Sequence, residues 1–318
     1  MPPNKLYNIF ARFFNYNMTQ KNILKGVILV SLGATSYGML ATFVKLAYNE
    51  GYTTAEVTTS QILLGLLGVF IINIFQKARR GPEAKLASKK SITQLIVAGT
   101  SMGFTSVFYY LAVRYIPVSI GIVLLMQTVW MGVLLEALLG RKMPAGRKII
   151  AVTIVLIGTV LATNLIQKNI ALDWRGIMWG LLAAASFTAT MFTSNSIAIH
   201  LSPAQRSLFM LMGGAVIVLA FAAWTWTGNF NTDIFLRWGI VLALFGTIIP
   251  PMLLNAGFPH TGIGLGSIVS SLELPVSVMM AYVFLDEEVN ALQWMGIALI
   301  ITAIIIMNLK NKEQGQMH

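Results

Sequence analysis

The sequence predicts an all-α membrane protein with ten transmembrane helices, arranged as two five-helix repeats of opposite orientation. Three observations support this prediction. Of the 318 residues, 56% are hydrophobic and only 10% are charged, whereas a typical soluble domain has about 25% charged residues. The apolar residues fall into ten long runs, and the second half of the chain repeats features of the first. The composition excludes an ordinary soluble enzyme, a disordered regulator and a fibrous protein.

Each predicted span is close to the length of about 20 mostly apolar residues that a helix needs to cross a bilayer. The spans are residues 26–44, 57–76, 92–113, 118–139, 149–166, 176–199, 207–227, 238–257, 262–285 and 292–309. Barrel strands are excluded, because the runs are about twice the length of such a strand and lack polar/apolar alternation. The longest internal connection, residues 77–90, is too short to hold a separate folded domain.

The two ends of the chain lie outside the spans. One face of an N-terminal helix would carry Leu6, Ile9, Phe10, Phe13 and Phe14. Such a face suits a helix lying in the headgroup plane, and a tail or a start misassigned upstream of Met18 is the equal alternative. The expected units are an N-terminal segment over 1–25, a first repeat over 26–166, a second over 176–309 and a tail over 310–318.

Basic residues predict the orientation in the membrane. With the N terminus inside, 17 of the 22 Lys and Arg residues lie on the inner side. The outer side holds Lys45, Arg114, Lys168, Arg175 and Arg237. This asymmetry follows the positive-inside rule and predicts a plasma-membrane (bacterial inner-membrane) protein with both termini in the cytoplasm. The net charge of +11 is therefore a topology signal and an attraction to the lipid bilayer, and no nucleic-acid partner is expected.

The two halves share features at regular offsets. Lys25-Gly26 matches Arg175-Gly176, and Ser36-Tyr37 matches Ser186-Phe187. Residues 138–152 align with 284–298 at an offset of 146, which places Gln127 on Glu273. Because five spans are an odd number, the second copy must enter the membrane the other way up. This arrangement is typical of secondary transporters, whose solute site lies near the midplane between the halves.

Three segments resemble a known family. They are YGMLATFVKLA at 37–47, LAVRYIPVSIGIVL at 111–124 and SLELPVSVMMAYVFLDEEVNALQWMGIALIITAI at 271–304. With them the chain resembles the ten-span drug/metabolite transporters of the EamA type, and among these the YddG-like exporters. The resemblance implies export of small metabolites, amino acids or drugs by alternating access. The first-half copy departs from the family pattern at LLGRK and at Val129, where the second copy has Pro275.

Glu273 is the leading candidate for the site, because an ionisable group inside hydrocarbon is costly and is a functional candidate by default. It is expected to bind a proton or the amine of a substrate in a central cavity. The structural alternative is a protonated or hydrogen-bonded Glu that holds a helix bend at Pro275. Glu136 is the other carboxylate within a span, and we expect it to pair with Arg141 or Lys142 or to snorkel.

Further candidates come from polar and aromatic residues within spans. Gln127 and Trp130 lie one helical turn apart, and Gln127 occupies the position related to Glu273. Tyr37, Tyr109, Phe187 and Asn195 complete the predicted cavity lining. Each of these alone is more often a helix-packing residue than a ligand. Lys45 is either an exterior gate charge or a lysine that reaches the headgroups.

Prolines and glycines within spans predict the moving parts. Pro250 and Pro251 are expected to break span 8 near its middle, and Pro275 to bend span 9. Gly262, Gly264 and Gly266 open span 9 at alternate positions. They do not form a phosphate-binding loop, because no strand precedes them and no Lys-Ser/Thr follows. We interpret Gly264 and Gly266 as packing and gating residues.

The favoured function is export of small metabolites, amino acids or similar amphipathic solutes. A drug or a nucleotide-linked sugar is the alternative solute, although phosphates need buried basic partners. A lipid-modifying enzyme would need catalytic groups at one interface, where Asp286-Glu287-Glu288 is the only candidate. A scaffold protein is the remaining alternative.

No metal or cofactor is expected, since Cys is absent and the three His residues are scattered. The expected partners are a small-molecule substrate, the lipid bilayer and protons as a candidate coupling ion, in a monomer or homodimer.

Overall fold

The computed structural model describes residues 20–80, 87–116, 118–164, 173–225 and 228–309. Every secondary-structure element in these ranges is helical. The helices are α1 (Gln20–Asn49), α2 (Thr54–Arg80), α3 (Lys89–Val113), α4 (Val118–Leu125), α5 (Thr128–Gly140), α6 (Gly146–Ala162), α7 (Trp174–Ser196), α8 (Pro203–Trp224), α9 (Ile240–Ala243), α10 (Ile249–Ser270), α11 (Glu273–Phe284) and α12 (Ala291–Leu309). Two π-helical turns, Phe235–Gly239 and Leu244–Ile248, flank α9. The predicted helix over Leu6–Phe14 and the tail over 310–318 lie outside the described residues.

Seven helical runs of the described chain are long and apolar enough to cross a membrane. One of them, Phe235–Phe284, has 50 residues and contains both predicted spans 8 and 9. Gly262 interrupts this run with φ 73° and ψ 173°, a conformation that is essentially restricted to glycine. α6 has 17 residues, and the apolar part of α12 is likewise shorter than the seven. The expectation of an all-helical membrane protein is therefore confirmed.

α2 and α8 begin with the same local structure. In both, a hydroxyl residue caps the helix and a long polar side chain three residues later bonds back to it. Glu56 accepts from the backbone N–H of Thr53 at 2.6 Å. Gln205 accepts from the backbone N–H of Ser202 at 3.2 Å. The two capping boxes are 149 residues apart, so they mark equivalent helices of the two halves.

Packing between the halves is reciprocal. α1 of the first half packs against α10 and α11, while α7 of the second half packs against α3, α4 and α5. α3 runs along α8, as α2 runs along α9 and its π-helical flanks, and α6 pairs with α12. α3 and α8 approach closely because Gly99 and Gly213 lack side chains. A Cβ atom on Gly99 would collide with the carbonyl oxygen of Met210, and one on Gly213 with that of Ile96.

Each half also contains one matched kink, between α4 and α5 and between α10 and α11. In the first kink the N–H of Val129 bonds to the carbonyl of Met126 at 3.0 Å, and in the second Leu274 bonds to Ser271 at 3.2 Å. These tight i to i+3 bonds shorten the turn where helix direction changes. Val129 and Leu274 are 145 residues apart, so the kinks make Thr128 the first-half equivalent of Glu273. The alignment of the connecting sequences, at an offset of 146, makes Gln127 the equivalent residue instead.

Candidate functional site

A central cavity of about 170 Å³ lies among helices of both halves. It is bounded by α1, α2, α3, α4, α7, α8 and α11 and by the π-helical turn at 244–248. Its polar lining residues are Tyr37, Gln61, Thr105, Ser106, Thr190, Thr247 and Glu273. Of the residues that the sequence predicts for the site, Glu273, Tyr37 and Phe187 meet in this cavity, although they are far apart in the chain.

Glu273 is the single carboxylate among the described residues that line the cavity. It is the first residue of α11, so the kink at Ser271–Leu272 directs this position into the space between the helices. Its side chain forms no hydrogen bond or ion pair with the described part of the chain. Tyr37 lines the same cavity and forms no hydrogen bond with Glu273. The carboxylate therefore retains its hydrogen-bonding capacity for something that enters the cavity.

Tyr37 and Phe187 form an aromatic wall beside Glu273. Their ring centroids are 6.4 Å apart and the rings meet edge to face, with an interplanar angle of 80°. These are the repeat-related positions that the Ser36-Tyr37 and Ser186-Phe187 match identified. The two halves thus contribute one ring each to the same cavity, which gives it an apolar side and a charged side.

A second space, the flanking cavity, of about 220 Å³, adjoins the central one. The two cavities share Ser106 and Val218 in their linings. The polar residues of the flanking cavity are Thr53, Thr54, Thr58, Ser106, Tyr110 and Thr225. These residues lie near the start of α2 and towards the ends of α3 and α8. The cavities therefore form a route from the middle of the bundle to one end of it.

Arg206 lies in the first turn of α8, at the opposite end of that helix, and is only 1% exposed. Its Nε donates to the carbonyl of Ile197 at 3.1 Å, and its Nη1 to that of Asn255 at 2.6 Å. Its Nη2 donates to the carbonyls of Thr193 at 3.1 Å and Ser194 at 2.6 Å. The guanidinium thus joins the end of α7, the start of α8 and the middle of α10.

Pro259 explains why the Asn255 carbonyl is available to Arg206. In a regular helix that carbonyl accepts from the N–H four residues later, and proline has none. The Asn255 side chain also donates to Ser207 Oγ at 2.9 Å, so α10 is fixed to α8 twice. Sequence reasoning counted Arg206 only as an inner basic residue. The signal that could have singled it out is the Asn-x-x-x-Pro spacing, which frees a carbonyl within a span.

Two of the ion pairs in the described part of the chain involve Glu136 and Lys45. Glu136 pairs with Lys148 and lies against Gly264, so the expected pairing of Glu136 is confirmed, with Lys148 as the observed partner. Lys45 pairs with Glu287 of the acidic turn at 286–288. Both Lys45 and Glu287 are about half exposed, so this pair adds little to stability.

Comparison with known proteins gives the family. Residues 24–164 and 174–309 each match the profile of the EamA-like transporter family. The chain belongs to this family. It is a multi-pass membrane transporter with two EamA repeats, as its sequence predicted, and its family is one of transporters rather than enzymes. No curated protein gave a significant match.

Solved structures agree on the fold of this EamA-like transporter. A crystal structure of a protein covering 88% of this chain and 98% of its own matches with a TM-score of 0.73. Its sequence identity of 12% supports the likeness of the fold alone.

Other predicted residues of this EamA-like transporter lie away from the central cavity lining. Gln127 donates to the Val123 carbonyl at 3.0 Å and accepts from Trp130 Nε1 at 2.9 Å, and Trp130 is exposed. Asn195 donates to Ser196 Oγ at 2.9 Å, close to the carbonyls that bind Arg206. The Tyr109 ring faces Gly121 of α4. Their roles towards a substrate stay predictions.

The predicted hinge residues occupy three kinds of position. Pro250 and Pro251 follow the π-helical turn at 244–248, and the chain stays helical through them rather than breaking. The π-helical turn lies directly before the two prolines, and its Gly246 and Thr247 line the cavity. Pro275 lies in the first turn of α11, where proline is tolerated.

Gly264 and Gly266 are buried in the helical part of α10. A Cβ on Gly264 would meet the Glu136 carboxylate, and one on Gly266 the Phe258 ring. The non-helical residue of this segment is their neighbour Gly262. Close packing therefore accounts for Gly264 and Gly266, and Gly262 is the site of the bend.

Proposed function

We propose that this protein is a secondary transporter that exports small amphipathic solutes, with amino acids and similar molecules as the favoured class, by alternating access. One observation carries the proposal. Glu273 presents a carboxylate, which has no partner among the described residues, to a cavity that both repeats line. An ionisable group at this depth is costly, so its retention without a structural bond favours a role in binding.

The proposed architecture has ten spans in two inverted repeats. Gly262 divides the 50-residue run into two spans, and α6 and α12 are taken as further spans. The 17 residues of α6 measure about 26 Å as a helix, close to the thickness of about 30 Å of a bilayer core. Five spans in each repeat require opposite orientations, and the reciprocal packing of the halves supports this arrangement.

The proposed orientation places both termini in the cytoplasm of a bacterial inner membrane, from the excess of basic residues on that side. The flanking cavity then leads to the outside. Arg206 and the four backbone carbonyls that it binds, which we call the Arg206 cluster, lie on the cytoplasmic side. In this arrangement the Arg206 cluster joins α7, α8 and α10 on the side from which an exported solute enters. Export would require these helices to separate there, and the sharing of Ser106 and Val218 supports release through the flanking cavity.

Protons are the proposed coupling ion. An ionised Glu273 in an empty, low-dielectric cavity is disfavoured, so the empty site favours a protonated carboxyl. A bound ammonium group stabilises the ionised form instead, which releases the proton. Exchange of one proton for one cationic group at the same carboxylate would couple solute export to proton entry.

Rival functions have less support. A nucleotide-linked sugar needs basic partners for its phosphates, and the described lining of the two cavities includes no Arg or Lys. The acidic turn that a lipid-modifying enzyme would use contains Glu287, and the Glu287 carboxylate is paired with Lys45. Drugs remain the alternative solute class within transport.

The test is solute flux in proteoliposomes. Radiolabelled amino acids and related solutes are offered with and without an imposed pH gradient to wild type, Glu273→Gln and Glu50→Gln. Glu50 lines neither cavity and lies at the exposed end of α1, so Glu50→Gln is the matched control. We expect gradient-driven flux in wild type and control, and loss of at least about tenfold in Glu273→Gln. Equal flux in all three proteins would remove Glu273 from the mechanism, and no flux of any solute would contradict the proposed function.

A further inference from the structure

We infer that the transport path selects solutes that carry a cationic ammonium group on a body of about one aromatic ring, and that a carboxylate on the same solute weakens binding. This inference rests on the proposed function and, within its class of small amphipathic solutes, places amines ahead of amino acids. It follows from the charges of the two cavities, from their hydrogen-bonding groups and from their aromatic walls.

The first argument is charge. Glu273 is the single acidic residue among those that line the two cavities, and their described lining includes no Arg, Lys or His. A solute carboxylate that leaves water for this space loses its hydration and gains no cationic partner. An ammonium group gains the Glu273 carboxylate, and a hydrogen bond between charged groups is about twice as strong as a neutral one. The path therefore favours positive over negative solute groups.

The second argument is the direction of the hydrogen bonds in the central cavity. The Thr105 hydroxyl donates to the carbonyl of Ser101 at 2.8 Å, and that of Thr190 is 3.2 Å from the carbonyl of Ser186. The Gln61 amide donates to the Thr247 hydroxyl at 3.1 Å. When a hydroxyl proton is bound to the backbone, the free lone pairs of that oxygen can only accept. Thr105 and Thr190 therefore offer acceptors to a solute that donates, and so does the Gln61 side-chain carbonyl oxygen, because only the Gln61 amide nitrogen is used by Thr247.

The flanking cavity repeats this arrangement. The Thr58 hydroxyl donates to the carbonyl of Thr54 at 2.8 Å, and the Thr225 hydroxyl donates to that of Phe221 at 2.9 Å. The free lone pairs of both threonines are acceptors on the route out of the central cavity. The path thus offers an ammonium group neutral acceptors after it leaves Glu273.

The third argument is the aromatic walls and the space between them. Tyr37 and Phe187 flank the central cavity, and Tyr110 and Phe221, with centroids 5.5 Å apart, flank the other one. Aromatic faces attract cations and also pack against apolar bodies. A cavity of about 150 Å³ is large enough for benzene, so the central cavity of about 170 Å³ fits a solute of one ring and a short chain.

The test compares three solutes with the same ring and chain length. Tyramine is a cation, tyrosine adds an α-carboxylate, and 3-(4-hydroxyphenyl)propionate has the carboxylate alone. Binding to the detergent-purified protein is measured by the concentration that raises the melting temperature half-maximally, which avoids leak of the neutral amine through lipid. Radiolabelled tyramine flux in proteoliposomes, with protein-free liposomes subtracted, measures transport by the same protein.

We expect tyramine to bind at least about tenfold more tightly than tyrosine, and the propionate to bind more weakly than both. Glu273→Gln should weaken the binding of tyramine by at least about tenfold. Glu50→Gln should leave the binding of tyramine unchanged. If Glu273→Gln does not fold, Glu273→Asp keeps the charge on a shorter side chain and should retain the preference for the cation at lower affinity.

Three results would overturn the inference. They are tighter binding of tyrosine or the propionate than of tyramine, tyramine binding that Glu273→Gln leaves unchanged, and flux of amino acids without any effect of tyramine. In each case, flux of other solutes in the panel would leave the proposed function standing. Absence of flux for every solute would overturn both.

Discussion

Arg206 and Glu273 are both ionisable residues within apolar helices, and the protein treats them in opposite ways. Arg206 is 1% exposed and donates to four backbone carbonyls, at 2.6–3.1 Å, from three segments. Glu273 lines a cavity and has no hydrogen-bond partner among the described residues. Both positions carry the cost of removing an ionisable group from water. The protein offsets that cost at Arg206 with its own backbone and leaves it at Glu273 for a proton or a solute to offset.

The difference shows how an ionisable residue within a span can be interpreted. A group whose bonds are all made by the protein fixes helices to one another, and its removal should reduce stability. A group whose bonds are left open should contribute to binding, and its removal should leave stability unchanged or increase it. The four predictions below test this distinction, from the largest expected effect to the smallest.

Arg206→Leu should have the largest effect on stability. Thr193 keeps the backbone bond from Ile197, but the carbonyls of Ser194, Ile197 and Asn255 lose Arg206 as a donor. Each buried acceptor left without a donor costs about 1–3 kcal/mol, so we expect the free energy of unfolding to fall by at least about 3 kcal/mol. Thermal unfolding in detergent and the monodisperse fraction after purification measure it. Arg147→Leu, at an exposed arginine in the first turn of α6, is the control and should change neither. Equal melting temperatures would show that the Arg206 cluster does not fix the helices.

Glu273→Leu, in contrast to Arg206→Leu, should abolish solute flux without reducing stability. The substitution removes an unpartnered carboxyl from an apolar setting, so the melting temperature should stay the same or rise while solute flux is lost. The same thermal unfolding and flux assays, with Glu50→Gln as control, measure both effects. A fall in melting temperature comparable to that of Arg206→Leu would mean that Glu273 is structural, and the contrast between the two regions would fail.

Gly262→Ala should have an intermediate effect. Gly262 lies between Asn255, which Arg206 binds, and Glu273, and its φ of 73° and ψ of 173° suit glycine alone. An alanine in that conformation costs about 1–3 kcal/mol. Gly140→Ala is the control, because a Cβ at Gly140 meets no neighbour within 4 Å. Thermal unfolding should show a lower melting temperature for Gly262→Ala than for Gly140→Ala. Equal melting temperatures would show that the bend relaxes without a cost in free energy.

Sequence reasoning reached the helices because hydrophobic run length is a property of the chain alone, and it reached the family through the resemblance of the segments at 37–47, 111–124 and 271–304. It also predicted that Glu273, Tyr37 and Phe187 line a central cavity, since a carboxylate within a span and a repeat-related aromatic pair are visible in one sequence. It did not reach the Arg206 cluster, which depends on a carbonyl in α10 that Pro259 frees and that only packing brings to α8. The offset of the repeat also changes along the chain, so the kinks make Thr128, and not Gln127, the first-half equivalent of Glu273.

Thr58→Val should have the smallest effect and tests how far the acceptor-lined path extends from Glu273. The Thr58 hydroxyl gives its proton to the Thr54 carbonyl, so the substitution removes one neutral acceptor from the flanking cavity with little change in volume. The lower half of the range for a neutral hydrogen bond, about 0.5–1 kcal/mol, corresponds to a fall of about two- to fivefold in the initial rate of solute flux, which is the effect we expect. Thr153→Val is the matched control, because the exposed Thr153 makes the same bond to the Ile149 carbonyl at 3.0 Å and lines neither cavity. Equal rates in the two variants would confine recognition to the central cavity, and a loss as large as that of the Glu273 variants would place the limiting contact in the flanking cavity instead.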